Sequence, residues 1–203
     1  MTKNYKAVLI LFIITIFTGC SSINSQPLPV EESKDNTTYL IGSGDQLQIF
    51  VWRNKDLSTR VTVRPDGRIS SPLIDDLVVA GLEPNDVAVL VEDILGKYIR
   101  DPQVSIIVSG FKGTPAQQVK VIGNATDPKV IPYSEGMTLL DVMIAVKGLT
   151  DFADGDNAQL VRTIDGEQKQ YTVFLDSLIR KGDISKNRSI HPGDTIIIPE
   201  AWF

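Results

Sequence analysis

The chain has 203 residues, of which 42% are hydrophobic and 22% charged, and this composition excludes a disordered or collagen-like protein. Its formal net charge is −5 and it carries no basic stripe, so nucleic acid is not an expected partner. One cysteine excludes a disulfide framework, and with one histidine we expect neither a His-rich metal site nor a Ser/His/Asp catalytic site.

The first residues have the pattern of a targeting segment. Lys3 and Lys6 precede an unbroken apolar run from Ala7 to Phe17, as in the basic and apolar regions of a signal peptide. As a helix this run would span roughly 16 Å, about half of the ~30 Å hydrocarbon core of a bilayer. We therefore predict a cleaved signal peptide over residues 1–19 rather than a transmembrane helix.

The predicted signal peptide ends in Phe17-Thr18-Gly19 and is followed by Cys20, and this sequence resembles the lipobox of bacterial lipoproteins. In that family a cysteine behind a small residue is acylated before cleavage; Phe17 stands where leucine is usual. The resemblance implies that Cys20 carries a lipid anchor and that Ser21, rather than aspartate, directs the protein to the outer membrane. Residues 20–38 are mostly polar and predict a flexible tether.

A first folded unit is predicted over residues 39–113. Gln46 to Arg53 places Leu47, Ile49 and Val51 on one face and Gln46, Gln48, Phe50 and Trp52 on the other, which predicts a strand. Two β-rich stretches, 60–64 and 68–74, flank the turn sequence Pro65-Asp66-Gly67, so we predict a hairpin.

The same unit contains a predicted helix and a further strand. Pro84 suits a first helical turn, and apolar residues at helical spacing follow it: Val87, Leu90, Val91, Ile94, Leu95, Tyr98 and Ile99. Asp101-Pro102 ends this helix of about four turns, and Gln103 to Ser109 resumes as a strand. The unit is expected to pack in two layers.

A second unit is predicted over residues 114–203. It begins with short strands at 118–122 and 129–132. Thr138 and Asp141 form a capping-box sequence that opens a helix ending at Gly148. Apolar residues surround the whole axis of this helix, which is therefore expected to be largely buried: Leu139, Leu140, Val142, Met143, Ile144 and Val146.

The rest of the second unit is predicted to be a hairpin and a final strand. Ala158 to Ile164 and Gln168 to Phe174 flank the turn sequence Asp165-Gly166, and Thr195 to Ile198 forms the last strand. Few of the connections are long enough for crossover helices, so an α+β fold with a mixed, β-grasp-like sheet is favoured over a doubly wound one.

The motifs that could carry catalysis have simpler interpretations. Gly42-Ser43-Gly44-Asp45 precedes a strand rather than a helix, which argues against a phosphate-binding loop. The carboxylate pairs Asp75-Asp76 and Asp154/Asp156 could serve a glycosidase, but loop acids are more often solvated turn residues. His191 is interpreted as a turn residue. We expect no enzyme activity, no metal and no cofactor.

Four aromatic residues are candidates for contacts with a partner. Phe50 is expected in the core, and Trp52 could lie either in the core or at an interface. Trp202 and Phe203 stand just beyond the last predicted strand, where a neighbouring subunit could cover them.

Several motifs together carry a resemblance to a known family. The first unit contains, in order, YLIGSGDQL (39–47), VRPDGRI (63–69), VAGL (79–82) and YIRDPQV (98–104). This order and spacing resemble the polysaccharide export domain of bacterial capsule and exopolysaccharide translocon proteins, the Wza-like family. The second unit resembles the soluble-ligand-binding β-grasp (SLBB) domain that follows it in that family, through Gly123, Pro128, TLLD (138–141), Gly148, Thr150, Ala153, Asn157, Arg162 and HPGDTIIIPE (191–200).

Two features depart from the family pattern. Lys129 follows Pro128 where glycine is usual, so the turn is expected to differ locally. The best-known members also carry further β-grasp domains and a C-terminal helix that assembles into an outer-membrane pore. Here the last predicted strand is followed by Ala201, Trp202 and Phe203. We therefore expect no C-terminal transmembrane helix and a separate outer-membrane pore protein as partner.

The resemblance implies a role without bond chemistry. The chain is expected to be a lipid-anchored subunit on the periplasmic side of the outer membrane, forming a homo-oligomeric ring that conducts a capsule or exopolysaccharide. An inner-membrane polysaccharide co-polymerase is the other implied partner. The alternative is a lipoprotein binding module that does not transport but captures a soluble sugar or regulates the synthesis machinery.

Overall fold

A computed structural model describes residues 26–29 and 38–202 of the chain. The predicted signal peptide, Cys20 and Phe203 lie outside the described residues. Two separate hydrophobic cores divide the described part into two units. Strand β1 (Gln26–Pro27) stands apart from the first unit, because it pairs within the second.

The first unit is built around one central strand. In chain order it contains β2 (Gln46–Val51), β3 (Thr59–Thr62), β4 (Arg68–Ser71), β5 (Ile74–Val78), helix α1 (Pro84–Leu95) and β6 (Val104–Gly110). Strand β2 lies between β3 and β6 and is antiparallel to both. Alternation decides which face is inside, since Leu47, Ile49 and Val51 are buried while Gln46 and Phe50 are exposed.

Helix α1 packs on this sheet through a narrow apolar stripe. Val87, Val91 and Leu95, spaced by four residues, are fully buried. The helix begins at Pro84 as predicted, but it ends at Leu95, before Gly96. The predicted fourth turn is absent, and the expected helical residue Tyr98 is exposed.

The hairpin predicted between residues 60–64 and 68–74 is wrong. Pro65-Asp66-Gly67 does form a turn, in which the Gly67 amide donates to the Arg64 carbonyl at 2.9 Å. However, β3 pairs with β2, and β4 pairs instead with β5, a strand that was not predicted. The reversal between β4 and β5 falls at Leu73, whose φ is +64°. Pro72, inside the predicted strand, marked this break, because proline cannot donate to a ladder.

The second unit contains a six-stranded mixed sheet. Its elements are β7 (Gln118–Gly123), β8 (Val130–Pro132), α2 (Leu139–Ala145), β9 (Ala158–Ile164), β10 (Glu167–Val173), α3 (Leu175–Ile179) and β11 (Thr195–Ile198). The strand order is β1-β10-β9-β11-β7-β8, with β11 parallel to β7 and antiparallel to β9. The predicted α+β class with a mixed sheet is confirmed, and α3 is an element that the sequence pattern did not predict.

Two local predictions in this unit are confirmed by their hydrogen bonds and dihedral angles. The Thr138 amide donates to the Asp141 carboxylate at 2.9 Å, and the Asp141 amide donates back to the Thr138 hydroxyl, which is a capping box. Asp165 and Gly166 have φ of +53° and +83°, as a two-residue turn between twisted strands requires.

Helix α2 is buried on one side only. Leu139, Val142, Met143 and Val146 lie in the core, whereas Ile144 is 69% exposed, so the prediction that this apolar residue is buried is wrong. A helix that packs against one face of a sheet keeps its opposite face in solvent, whatever residues that face carries.

A buried ion pair joins two strands of the second sheet. Arg162 on β9 donates through Nε and Nη2 to the two carboxylate oxygens of Asp194, at 2.9 and 2.7 Å. Asp194 is fully buried and also accepts from the His191 amide at 2.8 Å. The bidentate geometry and the extra bond offset the cost of removing both charges from water.

Part of the predicted tether is bound to the second unit. Gln26 and Pro27 pair in parallel with Tyr171 and Thr172 of β10, and Leu28 is buried in the second core. The Arg188 guanidinium donates to the Leu28 carbonyl at 3.2 Å. A polar segment can therefore hold one ordered stretch, because the edge of β10 offers unpaired backbone groups and one leucine fills an apolar site.

No helix within the described ranges is long and apolar enough to cross a bilayer.

The burial of Leu28 predicts that Leu28→Ala releases β1 from the sheet. We expect the free energy of unfolding of the second unit to fall by about 2 kcal/mol, the low end for a leucine truncated in a core, because the segment can detach instead of leaving a cavity. Hydrogen exchange followed by mass spectrometry should show faster exchange in β10. Leu73→Ala, at an exposed leucine, is the control, and unchanged exchange of β10 in Leu28→Ala would contradict the docking of β1.

Candidate functional site

The two units meet at a joint that is organised by one carboxylate. Asp45 ends the Gly42–Asp45 turn, directly before β2, and is fully buried. Its Oδ2 accepts from the Gly42 amide at 2.8 Å and from the Tyr39 hydroxyl, while its Oδ1 accepts from the Lys112 and Gly113 amides at 2.6 and 3.2 Å. One side chain thus joins the start of the first unit to the segment that leads into the second.

The turn sequence is required by the space and backbone angles at this joint. A Cβ on Gly42 would lie 1.8 Å from the Gly113 carbonyl oxygen, so only glycine lets the two segments cross. Gly44 has φ of +89°, a conformation that other residues rarely adopt. The geometry argues against a phosphate-binding loop here, because the Gly42 amide donates to the carboxylate of Asp45 in the same turn.

Tyr39 is held in one position by three interactions. Its hydroxyl donates to Asp45 and accepts from the Gly113 amide at 3.0 Å. Its ring packs edge-on against Phe111, with ring centroids 5.5 Å apart. Partial burial and the Asp45 carboxylate raise the pKa of the Tyr39 hydroxyl well above its usual value, so it stays a hydrogen-bond donor.

Gln117 closes the joint from the side of the second unit. Its Oε1 accepts from the Leu40 amide at 3.1 Å, and its Nε2 donates to the Thr38 carbonyl at 2.9 Å. Gln118 adds a bond from its Nε2 to the Lys112 carbonyl at 3.1 Å. Side chains of both units therefore contact the backbone of the joint.

A cleft of about 270 Å³ opens at this joint. It contains three aromatic rings and several polar groups, supplied by both units: Tyr39, Phe111, Lys112, Gly113, Gln117, Pro132, Tyr133, Ser134 and Glu135. Sequence analysis missed it, because its residues come from three distant segments of the chain.

A second feature is the outward face of the sheet β3-β2-β6. Trp52, just beyond β2, is 55% exposed, and Phe50 is also exposed, so the expectation that Phe50 lies in the core is wrong. Their rings are 6.4 Å apart in an edge-on arrangement, and Ile107 on β6 is exposed on the same face. Phe50 points outward because it is the fifth residue of β2 and alternates with Leu47, Ile49 and Val51, which are buried on the opposite face.

The other residues singled out by sequence lie apart from the joint. Trp202 is 99% exposed beyond β11. Cys20 and Phe203 fall outside the described residues, so their roles remain predictions. The prediction that the acidic pairs are turn residues is wrong for Asp75 and Asp76, which lie in strand β5, where Asp76 forms an ion pair with Arg64. Asp156 does lie in a short 3-10 turn and accepts from the Ser177 amide at 2.7 Å. Within the described ranges, no cluster of His, Cys, Asp and Glu side chains could hold a metal ion.

The chain matches two protein-family models, one in each unit. Residues 33–109 match the model described as polysaccharide biosynthesis/export protein, and residues 117–198 match the model of the SLBB domain. Each contributor to the joint cleft lies within one of these matches or in the short segment between them.

Two curated relatives have related names. The chain is 25% identical over 188 residues to the EPS I polysaccharide export outer membrane protein EpsA of Ralstonia nicotianae, covering 81% of this chain and 48% of the relative. It is 30% identical over 172 residues to the capsule polysaccharide export outer membrane protein CtrA of Neisseria meningitidis serogroup A, covering 73% of this chain and 44% of the relative. The chain thus spans about half the length of the curated relatives that it matches.

The bonds of Asp45 predict a large effect of Asp45→Asn. The substitution removes the charge and places an NH₂ donor among four donors, so we expect a loss of about 2 to 4 kcal/mol in the free energy of unfolding. Urea unfolding measures it, and hydrogen exchange at residues 111–114 should rise. Asp75→Asn, at an exposed carboxylate, is the control; equal effects of the two substitutions would refute the role assigned to Asp45.

Proposed function

We propose that the chain, whose residues 33–109 match the polysaccharide biosynthesis/export model, is a member of that family and a subunit of a polysaccharide export translocon at the outer membrane. The observation that carries the proposal is the succession of an export domain and an SLBB domain, together with relatives named as polysaccharide export outer membrane proteins. In this role the subunits form an oligomeric ring on the periplasmic side and conduct a capsule polysaccharide or exopolysaccharide without changing its bonds.

The proposed membrane attachment is a lipid on Cys20. It is supported by the sequence Thr18-Gly19-Cys20 behind an apolar run, at the place where a lipobox stands. Several acyl chains, at ~0.8 kcal/mol per buried methylene, would anchor the mature chain firmly. Ser21 supports the outer membrane as the destination.

The outward face of β3-β2-β6 is the proposed contact between neighbouring subunits. Aromatic residues are enriched at protein interfaces, and Trp52, Phe50 and Ile107 present an exposed apolar group there. Trp202 is a further candidate contact, because its side chain is almost entirely in solvent. Through the assembled ring the protein would contact an inner-membrane polysaccharide co-polymerase and an outer-membrane pore protein.

The export role predicts where polysaccharide accumulates when the gene is deleted. We expect secreted polysaccharide to fall and periplasmic polysaccharide to rise, measured by sugar analysis of the medium and of the periplasmic extract. The intact gene should restore secretion. Cys20→Ser should not restore it, because the unacylated precursor would be absent from the outer-membrane fraction. Unchanged secretion in the deletion strain would refute the export role, and normal outer-membrane fractionation of Cys20→Ser would refute the anchor.

The proposed ring contact predicts the effect of Trp52→Ser. Because the indole is already half exposed, we expect the free energy of unfolding to change by less than about 0.5 kcal/mol. The oligomer should dissociate into smaller species, because the substitution removes an aromatic side chain from the proposed contact between subunits. Native mass measurement of the full chain in detergent tests this. Tyr98→Ser, at another exposed aromatic residue of the first unit, is the control. A wild-type chain that is monomeric in the presence of its lipid and partners would favour the non-transporting binding module.

A further inference from the structure

We propose that the cleft at the joint binds one pyranose residue of a glycan chain. The inference rests on the proposed export function, and it adds a binding site and a ligand class to it. The cleft, of about 270 Å³, is close to the lower end of small-molecule sites, at roughly 300 Å³. Such a volume suits one sugar ring.

The aromatic wall of the cleft matches the apolar face of a sugar. The C–H bonds of a pyranose ring carry a slight positive charge, and the face of an aromatic ring is negative, so the two attract each other. Phe111 is 58% exposed, and Tyr133 also lines the cleft. Tyr39 supports the Phe111 ring edge-on, and Tyr39 is itself held by Asp45 and Gly113. The wall is therefore in place before a ligand arrives, which lowers the entropy lost on binding.

The polar rim can bind hydroxyl groups of either orientation. Lys112 and Ser134 offer donors, Glu135 offers a carboxylate acceptor, and all three residues are exposed. Gln117 is different, because both ends of its amide already bond to the backbone at Leu40 and Thr38. One ammonium group and one carboxylate on the rim balance each other, which favours a hydroxyl-rich ligand over a phosphate.

The position of the cleft is suited to a polymer. Its exposed rim leaves the bound ring accessible from solvent, so the glycan can continue in both directions. Because both units line the cleft, an occupied site would also hold the two units in one relative orientation. Each subunit would thus contribute one weak contact, and a ring of subunits would offer several to the same chain.

Isothermal titration calorimetry of the full chain in detergent tests the proposal. The probe is a set of short oligosaccharides released from the surface polysaccharide of the bacterium that carries the gene. We expect binding by the wild type and at least tenfold weaker binding by Phe111→Ala. Phe152→Ala is the matched control, because Phe152 is 59% exposed, in the second unit and outside the cleft. Its binding should equal that of the wild type.

A second variant guards against a folding defect in Phe111→Ala. Ser134→Trp adds a large side chain at an exposed position of the rim and should block the cleft while the circular dichroism spectrum stays unchanged. Absence of binding by the wild type, or equal weakening by Phe111→Ala and Phe152→Ala, would overturn the proposal. Such a result would leave the export function to the secretion measurement, which reports on it independently.

Discussion

The structure depends on a buried carboxylate whose hydrogen-bonding capacity is filled by the chain around it. Asp45 accepts from three backbone amides and one hydroxyl, and these donors come from residues 39–42 and 112–113. An unpaired carboxylate at this depth would be costly, so the two segments that supply its donors are held together. The path of the chain out of the first unit, and the cleft that forms there, follow from this requirement.

The second unit repeats the same turn with another partner. Asp194, like Asp45, is fully buried, follows a glycine of positive φ, and accepts from the amide three residues before it at 2.8 Å. In both turns the Asp amide also donates to the carbonyl three residues back, at 3.2 Å. Each turn leads into a buried central strand, β2 or β11. The two turns differ in the donor to the other carboxylate oxygen. Oδ1 of Asp194 accepts from Arg162 within the second unit, whereas Oδ1 of Asp45 accepts from the Lys112 amide at the joint between the units.

Local patterns predicted local structure well, and they failed where a distant segment decided the outcome. The alternation of β2 and the Asp165-Gly166 turn depend on neighbouring residues, and both are observed as expected. Pro65-Asp66-Gly67 also turns the chain, but β2 provides a better partner for β3 than β4 does, and turn chemistry alone carries no information about that competition. The joint cleft could not be predicted from the sequence for the same reason: three segments that share no local pattern come together to form it. Trp52 illustrates the middle case, since alternation placed it on the outward face while its exposure required the structure.

The docking of β1 makes the second unit discontinuous in sequence, with the whole first unit inserted between its edge strand and its remaining strands. A chain emerging from the ribosome therefore presents β1 well before β10 exists, and the sheet closes only when both ends have been made. The same strand fixes a distance. The proposed acyl chain on Cys20 would stand six residues before Gln26, a reach of at most about 21 Å, so that proposal places β1 and the second unit within this distance of the bilayer surface.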